Sequence, residues 1–484
     1  MRRILLAWTA LLCVTVVGAP RTGYAQSEAY SPEDLARRTM ERRAVEAVIW
    51  GMPAVNFDLM YQAMARETKG RWNQIVYWSR PLDWKNQTLT PNPDTIYLMP
   101  FFSTRDGPIV LEIPPADNGS ITGTIMDSWQ VPLEDVGPAG VDKGKGGKYL
   151  ILPPGHSKKL PPGYVVLPSQ TYQGYALLRS NLRSGSDADV AAAAAYGRRI
   201  KLYSLTQASN PPATVFSDAS DVVYDATIPY DVRFFHALAR FVQQETWLPR
   251  DRAMIDQLKS IGIEKGKPFK PEASTERILN AAAAEAKALL ASRYEMAFAT
   301  PFFTSSRWAL PVAPDYLRDA SAGFASPDGY PVDDRGVVFS FAFFTPKHLG
   351  EGQFYLLTIR DRDGEKLNGA NSYRLRVPAD APVTLYWSAT AYDRATHSLI
   401  RDVPRASRAS TSPGLQKNAD GSVDIYFGPK APADTDANWV PTNTKGEFEV
   451  LFRLYGPEKS FFEKKWVLPD LEKTDLGAGG RALQ

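Results

Sequence analysis

The sequence predicts an α+β fold, with an N-terminal domain of mixed helices and sheet followed by an antiparallel β-sandwich domain that is jelly-roll-like. Three observations predict it. Apolar residues keep helical spacing near the start of the chain and again at about 190–298, short β runs bounded by proline or glycine occupy about 90–180, and further β runs fill the last third. The 38 prolines outnumber the 34 glycines, which indicates many short strands joined by rigid turns.

Residues 1–25 have the pattern of a signal peptide. Arg2 and Arg3 form a positive start, residues 4–17 are apolar, and Gly23 and Ala25 supply the small residues of a cleavage site. The apolar run is shorter than the ~20 residues of a membrane-spanning helix. We therefore expect an exported protein, periplasmic or secreted, with no membrane insertion after the signal is removed. An uncleaved anchor is the alternative.

The mature chain has neither cysteine nor excess charge. The only cysteine, Cys13, lies in the signal, so we expect no disulfide and no thiolate chemistry. Removing Arg2, Arg3 and Arg21 from the 56 basic residues leaves as many as the 53 acidic ones. Without a basic field, nucleic acid and anionic membranes are poor partners. A small-molecule ligand is expected, and homo-oligomer formation is left open.

The N-terminal domain is predicted at 26–320. Ser31 and Pro32 begin a helix that we expect to end at Pro53, and a second helix is expected at 57–67. The sheet follows at about 90–180 and further helices at about 190–298. The loop-rich segment around 305–335 places the domain boundary, so the second domain is predicted at 321–484.

Six β runs predict the C-terminal sandwich. They lie at 337–344, 353–359, 372–377, 383–391, 422–427 and 447–454, each with alternating or continuous apolar character. Turn signals such as Asp363-Gly364 and Asn368-Gly369 separate them. Antiparallel strands at this spacing are typical of a β-sandwich.

Short phrases in both halves carry a family resemblance. They are Asn-Pro-Asp-Thr-Ile-Tyr at 92–97 with Ile-Met-Asp-Ser-Trp at 125–129, and Asn-Ala-Asp-Gly-Ser at 418–422 with Asn-Trp-Val-Pro at 438–441. The set resembles the bacterial DUF1254 family joined to DUF1214, a pair of domains of unknown function. The resemblance implies the pair of domains and no particular activity.

Asp94 and Asp127 are the candidate catalytic residues. Asp94 lies in a proline-stiffened turn, where a carboxylate suits acid–base chemistry or a ligand hydroxyl. Asp127 lies on the apolar-leaning face of a strand, so it needs a partner or a raised pKa. Paired in one site, the two would suit a glycosidase-like reaction. The structural alternatives are a turn cap for Asp94 and an ion pair with arginine for Asp127.

Five further residues are candidate ligand-binding residues: Asn92, Tyr97, Arg335, Asn438 and Trp439. The guanidinium of Arg335 could clamp a carboxylate or phosphate, and Asn438 with Trp439 could bind a sugar or an amide. Capping the local turn is the alternative for Asn92, and covering an open sheet end is the alternative for Trp439.

No metal or cofactor is predicted. The four histidines, 156, 236, 348 and 397, are far apart in sequence and form no metal-binding phrase. There is no nucleophile elbow, phosphate loop or dinucleotide fingerprint. Scattered carboxylates that hold calcium or magnesium stay open.

Three functions remain open from the sequence. The first is an enzyme that binds or hydrolyses a small polar or carbohydrate-like molecule in an interdomain cleft through paired carboxylates. The second is a non-catalytic binding protein with a pocket lined by tyrosine and tryptophan. The third is a structural envelope protein, which would expose a large apolar patch.

Overall fold

Most helices lie between residues 187 and 341, in addition to one long helix at the start. The computed structural model describes residues 31–343, 345–350, 352–443 and 445–474, so the predicted signal peptide lies outside the described residues. No described helix is long and apolar enough to cross a membrane. The helices are α1 (Pro32–Glu67), α2 (Asp187–Gly197), α3 (Val232–Gln244), α4 (Met254–Ser260), α5 (Ala273–Met296), α6 (Pro314–Ser321), α7 (Val332–Phe341) and α8 (Lys459–Phe462).

The strands form an N-terminal and a C-terminal group. The first group is β1 (Gln74–Tyr77), β2 (Asn86–Gln87), β3 (Ile96–Ser103), β4 (Ile109–Ile113), β5 (Ile121–Asp127), β6 (Pro132–Val136), β7 (Gly147–Leu152), β8 (Val165–Pro168), β9 (Gln173–Ser180), β10 (Lys201–Ser204), β11 (Phe216–Asp218) and β12 (Tyr224–Asp225). The second group is β13 (Gln353–Thr358), β14 (Ser372–Val377), β15 (Val383–Asp393), β16 (Ser407–Ala409), β17 (Val423–Gly428), β18 (Trp439–Pro441), β19 (Phe448–Pro457) and β20 (Glu472–Thr474).

Two sheets of the N-terminal domain pack together. A six-stranded sheet has the order β11-β1-β3-β9-β5-β6, and a four-stranded sheet has the order β10-β4-β7-β8. Leu98 and Ile125 of the first sheet share one buried apolar cluster with Leu111 and Ile151 of the second. The other face of the six-stranded sheet contributes Met99 to a cluster that it shares with the helices. Helix α1 lies at the centre of that helical layer, in contact with α3, α5 and α7.

Helix α1 continues through Pro53, so the predicted end of the first helix at this residue is wrong. Proline removes the N–H that would bond the carbonyl of Ile49. Helix α7 packs closely against α1 beside Ile49: a Cβ added to Gly336 would lie only 3.0 Å from the Ile49 carbonyl oxygen. Every residue from 47 to 58 is buried. Burial of the helix on all sides offsets the cost of the proline, which a local pattern does not reveal.

The C-terminal strands form a β-sandwich. Its sheets have the orders β13-β19-β15-β16 and β18-β17-β14-β20, and all pairs are antiparallel except β17–β18. Phe452 and Leu454 of the first sheet pack against Leu375 and Ile425 of the second. The predicted α+β class is confirmed.

The strand predicted at 337–344 is wrong, because residues up to 341 belong to α7. The run Val-Val-Phe-Ser-Phe has high β propensity. Val338, Phe339 and Phe341 are nevertheless buried in the cluster that contains α1 and α5, and a helix lets Gly336 approach α1. Packing therefore outweighs local propensity. The predicted domain boundary at 320/321 stays a prediction, and α7, which follows it, packs with the helices that precede it.

Candidate functional site

One sheet of the sandwich is buried on both faces. Phe448, Val450, Phe452 and Leu454 of β19 point into the sandwich core, so the alternate residues point the other way. We call this second side the interface face, because the N-terminal domain covers it and Leu451 shares a buried cluster with α1. It consists of Tyr355 and Leu357 of β13, Tyr386, Ser388, Thr390 and Tyr392 of β15, and Glu449, Leu451, Arg453 and Tyr455 of β19.

The segment before β3 crosses the interface face and joins the two domains. Asn92 donates from Nδ2 to the hydroxyls of Tyr386 at 3.1 Å and Tyr455 at 2.9 Å. The backbone N–H of Asn92 donates to the Tyr97 hydroxyl at 2.9 Å. Asn92 and Tyr97 are fully or almost fully buried. The side chain of Asn92 therefore makes a domain-to-domain contact.

Asp94 makes a second contact between the domains. Its Oδ2 accepts a hydrogen bond of 2.6 Å from the Ser407 hydroxyl on β16, and its N–H donates to Asn92 Oδ1 at 3.0 Å. Burial raises the pKa of Asp94, while the Ser407 bond and the charge of Arg453 oppose that rise. Both the side chain and the backbone N–H of Asp94 are therefore bonded to protein groups. A catalytic role for Asp94 stays a prediction.

Asp127 caps the turn that follows β5. Its Oδ1 accepts from the backbone N–H groups of Trp129 and Val131, each at 2.9 Å. The carboxylate is 1% exposed, and burial raises its pKa to about 6 against the Val131 bond and the charges of Arg250 and Arg335. The raised pKa agrees with the expected burial of this carboxylate.

The pairing of Asp94 with Asp127 is wrong. Ile96, just after Asp94, lies opposite Ser180 of β9, whereas Asp127 lies opposite Gly174 of the same strand. Six residues of a strand span roughly 20 Å. The two carboxylates therefore lie towards opposite ends of the six-stranded sheet and do not form one site.

Arg335 also binds the protein itself. Its Nη2 donates to the carbonyl of Trp129 at 2.7 Å, and its Nη1 donates to the hydroxyl of Tyr330. Its guanidinium carbon lies 4.6 Å from the ring centroid of Phe324. Arg335 is 2% exposed, so it fixes the turn after Asp127 from the helical layer.

Trp439 begins β18 in the second sheet of the sandwich, and Asn438 immediately precedes that strand. Asn438 accepts from the N–H of Gln416 and donates to its carbonyl, both at 2.8 Å, and also donates to the carbonyl of Asp424 at 2.9 Å. The Trp439 indole donates to the carbonyl of Gly428 at 2.8 Å. The geometry of both side chains is that of groups that hold the end of β18, and a ligand-binding role for them stays a prediction.

A partly enclosed cavity of about 80 Å³ lies between the helical layer and the interface face. Its walls are mostly apolar. Four larger polar side chains, Tyr97, Arg179, Tyr355 and Arg453, belong to the two sheets that meet there. The remaining lining residues are Leu89, Thr90, Leu310, Pro311, Val312, Tyr316, Leu317, Val338, Phe341, Ala342, Phe343, Thr345, Pro346, Leu349, Leu357 and Leu451.

Arg453 is the central polar group of this cavity. It is 3% exposed, and its Nη1 donates to the Thr390 hydroxyl at 2.9 Å. Its Nη2 donates to the carbonyls of Thr90 at 2.9 Å and Pro91 at 3.2 Å, and to the hydroxyl of Tyr392. All of these acceptors are neutral. The charge of Arg453 therefore has no ion pair with a described carboxylate.

Arg179 and Tyr97 form the opposite wall of the polar end. They are direct partners on β9 and β3, and the guanidinium carbon of Arg179 lies 5.4 Å from the Tyr97 ring centroid. Arg179 is 4% exposed. The cavity thus brings together two buried arginines, one from each domain.

Tyr355 completes the polar end. Its hydroxyl is buried and has no hydrogen-bond partner among the described residues, although its ring lies 5.9 Å from the guanidinium carbon of Arg453. Burial raises the pKa of Tyr355 well above its usual value. The hydroxyl therefore keeps its proton and can donate it to an acceptor inside the cavity.

A second polar cluster lies further along β19. Glu449 is fully buried, accepts from His397 Nδ1 at 2.7 Å and from the Tyr294 hydroxyl at 3.0 Å, and lies 3.8 Å from Arg394 Nε. Arg394 Nη1 lies 3.4 Å from His397 Nε2. The cluster borders a cleft of about 430 Å³, and Leu89 lines both this cleft and the cavity. Among the residues that the structure describes, no group of His, Cys, Asp or Glu is arranged to hold a metal ion.

Sequence reasoning missed Arg179, Arg453, Tyr355 and the Glu449 cluster. A signal existed in β19, where Glu449 and Arg453 interrupt an apolar run at alternate positions. Alternation of this kind is usually a solvent-facing side. Nothing in the local pattern distinguishes a face covered by water from one covered by another domain.

Two family models match the chain. DUF1254, described as a protein of unknown function, matches residues 72–204, and DUF1214, with the same description, matches residues 352–459. No curated protein matches the chain. The VPA0106 protein from Vibrio parahaemolyticus is similar over 90% of this chain and 100% of its own, at 18% identity and a TM-score of 0.56, which supports the fold. A putative uncharacterized protein from Burkholderia cenocepacia is similar over 91% of this chain and 96% of its own, at 12% identity and a TM-score of 0.41.

Proposed function

Because the chain belongs to the two-domain DUF1254/DUF1214 family, whose models describe proteins of unknown function, we propose its function from the site itself. We propose that it binds a small, largely apolar molecule in the interdomain cavity without converting it chemically. One observation carries the proposal: aliphatic and aromatic side chains from both domains enclose the cavity around a few convergent polar groups.

The position of the cavity supports binding. Small-molecule sites favour domain interfaces, and they combine apolar walls with a few fixed polar groups that set orientation. Here Tyr97 comes from the six-stranded sheet and Val338 from the helical layer, whereas Leu451 comes from the sandwich. A ligand would contact both domains at once.

The lining favours binding over turnover. Among the described lining residues there is no Asp, Glu, His, Lys, Ser or Cys. General acid–base catalysis needs a group that exchanges its proton near the working pH. Arginine stays protonated, and burial moves the pKa of Tyr355 further from neutrality. The cavity thus offers orientation and desolvation.

The proposal replaces two hypotheses drawn from the sequence. Hydrolysis by paired carboxylates is not carried forward, because Asp94 and Asp127 lie far apart. A polar or carbohydrate-like ligand suits the apolar walls poorly, and no specific observation favours a structural envelope role. Export of this binding protein is part of the proposal and rests on the predicted signal at residues 1–25.

Fluorescence titration with the neutral probe phenylnaphthylamine tests the proposal. We expect a saturable rise in emission from one site. Val312→Trp should reduce the affinity for the probe at least tenfold, because the larger side chain fills the cavity from its wall. The matched control is Leu385→Trp, since Leu385 is 57% exposed and lies outside the cavity lining.

Two results would contradict binding in this cavity. One is emission that rises without saturation in the native protein. The other is saturable binding that Val312→Trp leaves at the level of Leu385→Trp while both variants melt at the wild-type temperature.

A further inference from the structure

A single side chain faces both the interdomain cavity and the neighbouring cleft. Among the lining residues that the structure describes, Leu89 is the one that the two spaces share. Resting on the proposed function, we propose that Leu89 determines specificity, because it is the end wall of the cavity and limits the length of the apolar ligand. The cavity of about 80 Å³ then admits a compact molecule, and Leu89 closes off the cleft of about 430 Å³.

Leu89 is a buried apolar side chain in this position. It is 2% exposed and belongs to the apolar cluster that contains residues of α1 and α7. The cleft on its other side is lined by several charged groups, but also by Ile228, Leu290 and Ala291. An apolar chain that passed residue 89 would therefore find further apolar surface, so only Leu89 itself stops it.

The backbone beside Leu89 is held in place. Thr90 has a φ of 38°, which a β-branched residue rarely adopts. Its N–H donates to the carbonyl of His397 at 2.6 Å, its hydroxyl donates to the carbonyl of Phe341 at 2.9 Å, and its carbonyl accepts from Arg453 Nη2 at 2.9 Å. A strained conformation persists where the surrounding structure fixes it. The position of the wall therefore depends on the side chain of Leu89 and not on movement of the segment.

Aromatic rings complete the partition between the two spaces. Phe341 lines the cavity, and its ring centroid lies 4.7 Å from that of Tyr294 and 6.2 Å from that of His397, which both line the cleft. These rings form a double layer, whereas at Leu89 the same side chain faces both spaces. Shortening Leu89 would therefore join the cavity to the cleft, and shortening Phe341 would still leave Tyr294 behind it.

A series of 1-alkanols from pentanol to decanol, titrated calorimetrically, tests the length limit. In wild type the affinity should rise about fourfold with each added methylene until the chain reaches Leu89, and then stop rising. Leu89→Ala opens the way to the cleft. We therefore expect the affinity of this variant to keep rising for about two further methylenes or more.

Leu317→Ala is the matched control for lost volume. Leu317 lies on α6 and lines the cavity, and it is not among the described residues that line the cleft. This variant removes the same atoms from a different wall, so it should keep the wild-type length limit.

Ala291→Trp tests whether the longer chains reach the cleft. Ala291 lies on α5 and lines the cleft, so a tryptophan there fills that space. By itself this variant should leave the wild-type length limit unchanged. Combined with Leu89→Ala, it should restore that limit.

Leu89→Val decides the question if Leu89→Ala does not melt cooperatively. The valine side chain is one methylene shorter than leucine, so the limit should move in the same direction by about one methylene.

The outcomes separate the role of Leu89 from the proposed function. Three results overturn the role of Leu89 and keep the apolar site: wild-type affinity that rises without a limit through decanol, a limit that the folded Leu89 variants leave unchanged, and a limit that Leu317→Ala extends as far as Leu89→Ala. Failure of Ala291→Trp to restore the limit overturns the joining of cavity and cleft. If neither the neutral probe nor any alkanol binds to wild type, the proposed function itself fails.

Discussion

Glu449 and Arg453 lie four residues apart on one face of β19, about 13 Å along the strand, and the N-terminal domain covers both. Their surroundings differ. Glu449 is surrounded by His397, Tyr294 and Arg394, and none of these four side chains has a buried polar atom without a partner. At Arg453 the hydroxyl of the neighbouring Tyr355 is buried and has no hydrogen-bond partner among the described residues.

The difference separates a part that holds the fold from a part that can receive a ligand. A saturated buried network rigidifies the protein, whereas an unsaturated one leaves donors for another molecule. Both ends contain buried charge and both border empty space, so neither charge nor volume alone distinguishes them. The buried Tyr355 hydroxyl, which has no partner among the described residues, does.

The largest effect is expected at Glu449. Glu449→Gln removes the negative charge and one of the two acceptor oxygens that face His397, Tyr294 and Arg394. We therefore expect the free energy of unfolding, measured by urea denaturation, to fall by about 3–5 kcal/mol. The control is Glu447→Gln, two residues away, whose carboxylate is 41% exposed and lies 3.5 Å from Lys366. It should cost less than about 0.5 kcal/mol. Equal losses would remove the distinction between the two ends of β19.

Asp127 extends the comparison to a carboxylate held by backbone groups alone. Its folded pKa of about 6 lies above the ordinary 3.8, so the folded state binds a proton more readily than the unfolded state. Protonation of Asp127 therefore contributes its full share to the free energy of unfolding below about pH 4, and this contribution is lost as the pH rises through 6.

Asp127→Asn should therefore match wild type at pH 4 and exceed it above pH 7. The asparagine Oδ1 can accept the same two N–H bonds without the buried charge. A shift of this size corresponds to about 3 kcal/mol, on the order-of-magnitude scale of such conversions. Thermal melts of both proteins from pH 4 to 8 measure it, and a constant difference across that range would contradict the assignment.

The smallest effect is expected at Tyr355. Because its buried hydroxyl has no partner and costs free energy, Tyr355→Phe should leave the unfolding free energy unchanged or raise it by up to about 1 kcal/mol. Tyr316→Phe loses the bond to Thr345 and should cost about 1 kcal/mol. The order of these two losses in urea denaturation checks whether the Tyr355 hydroxyl is free for a ligand. The reverse order would show that it serves the fold.

Strands were easier to predict than the surface that covers them. The alternation at 447–454 predicted β19, observed as Phe448–Pro457. The residues that cover its polar side come much earlier in the chain, and no local pattern connects them. Thr90 and Asn92 each lie 363 positions before their partners Arg453 and Tyr455. The prediction of a strand at 337–344 failed for a related reason. Packing of α7 beside Ile49, which is distant in sequence, decides the conformation of this segment.

The candidate site could be predicted only in part. The phrase at 92–97 was recognised as important, and the structure gives a reason, because Asn92 and Asp94 bind Tyr386, Tyr455 and Ser407 across the domains. Pairing Asp94 with Asp127 required knowledge of strand order, which the sequence does not contain. Arg179 and Arg453 come from different domains, so their meeting depends on docking.

The sheet with two buried faces has a consequence for how the chain unfolds. Separating the sandwich from the first domain would leave Glu449, Arg453 and their tyrosines facing water, together with apolar Leu357 and Leu451. The segment 352–459, which DUF1214 matches, would expose its interface face to water without the first domain. We therefore expect the segments that the two family models match to unfold as one cooperative unit, because melting either half removes the support of the other.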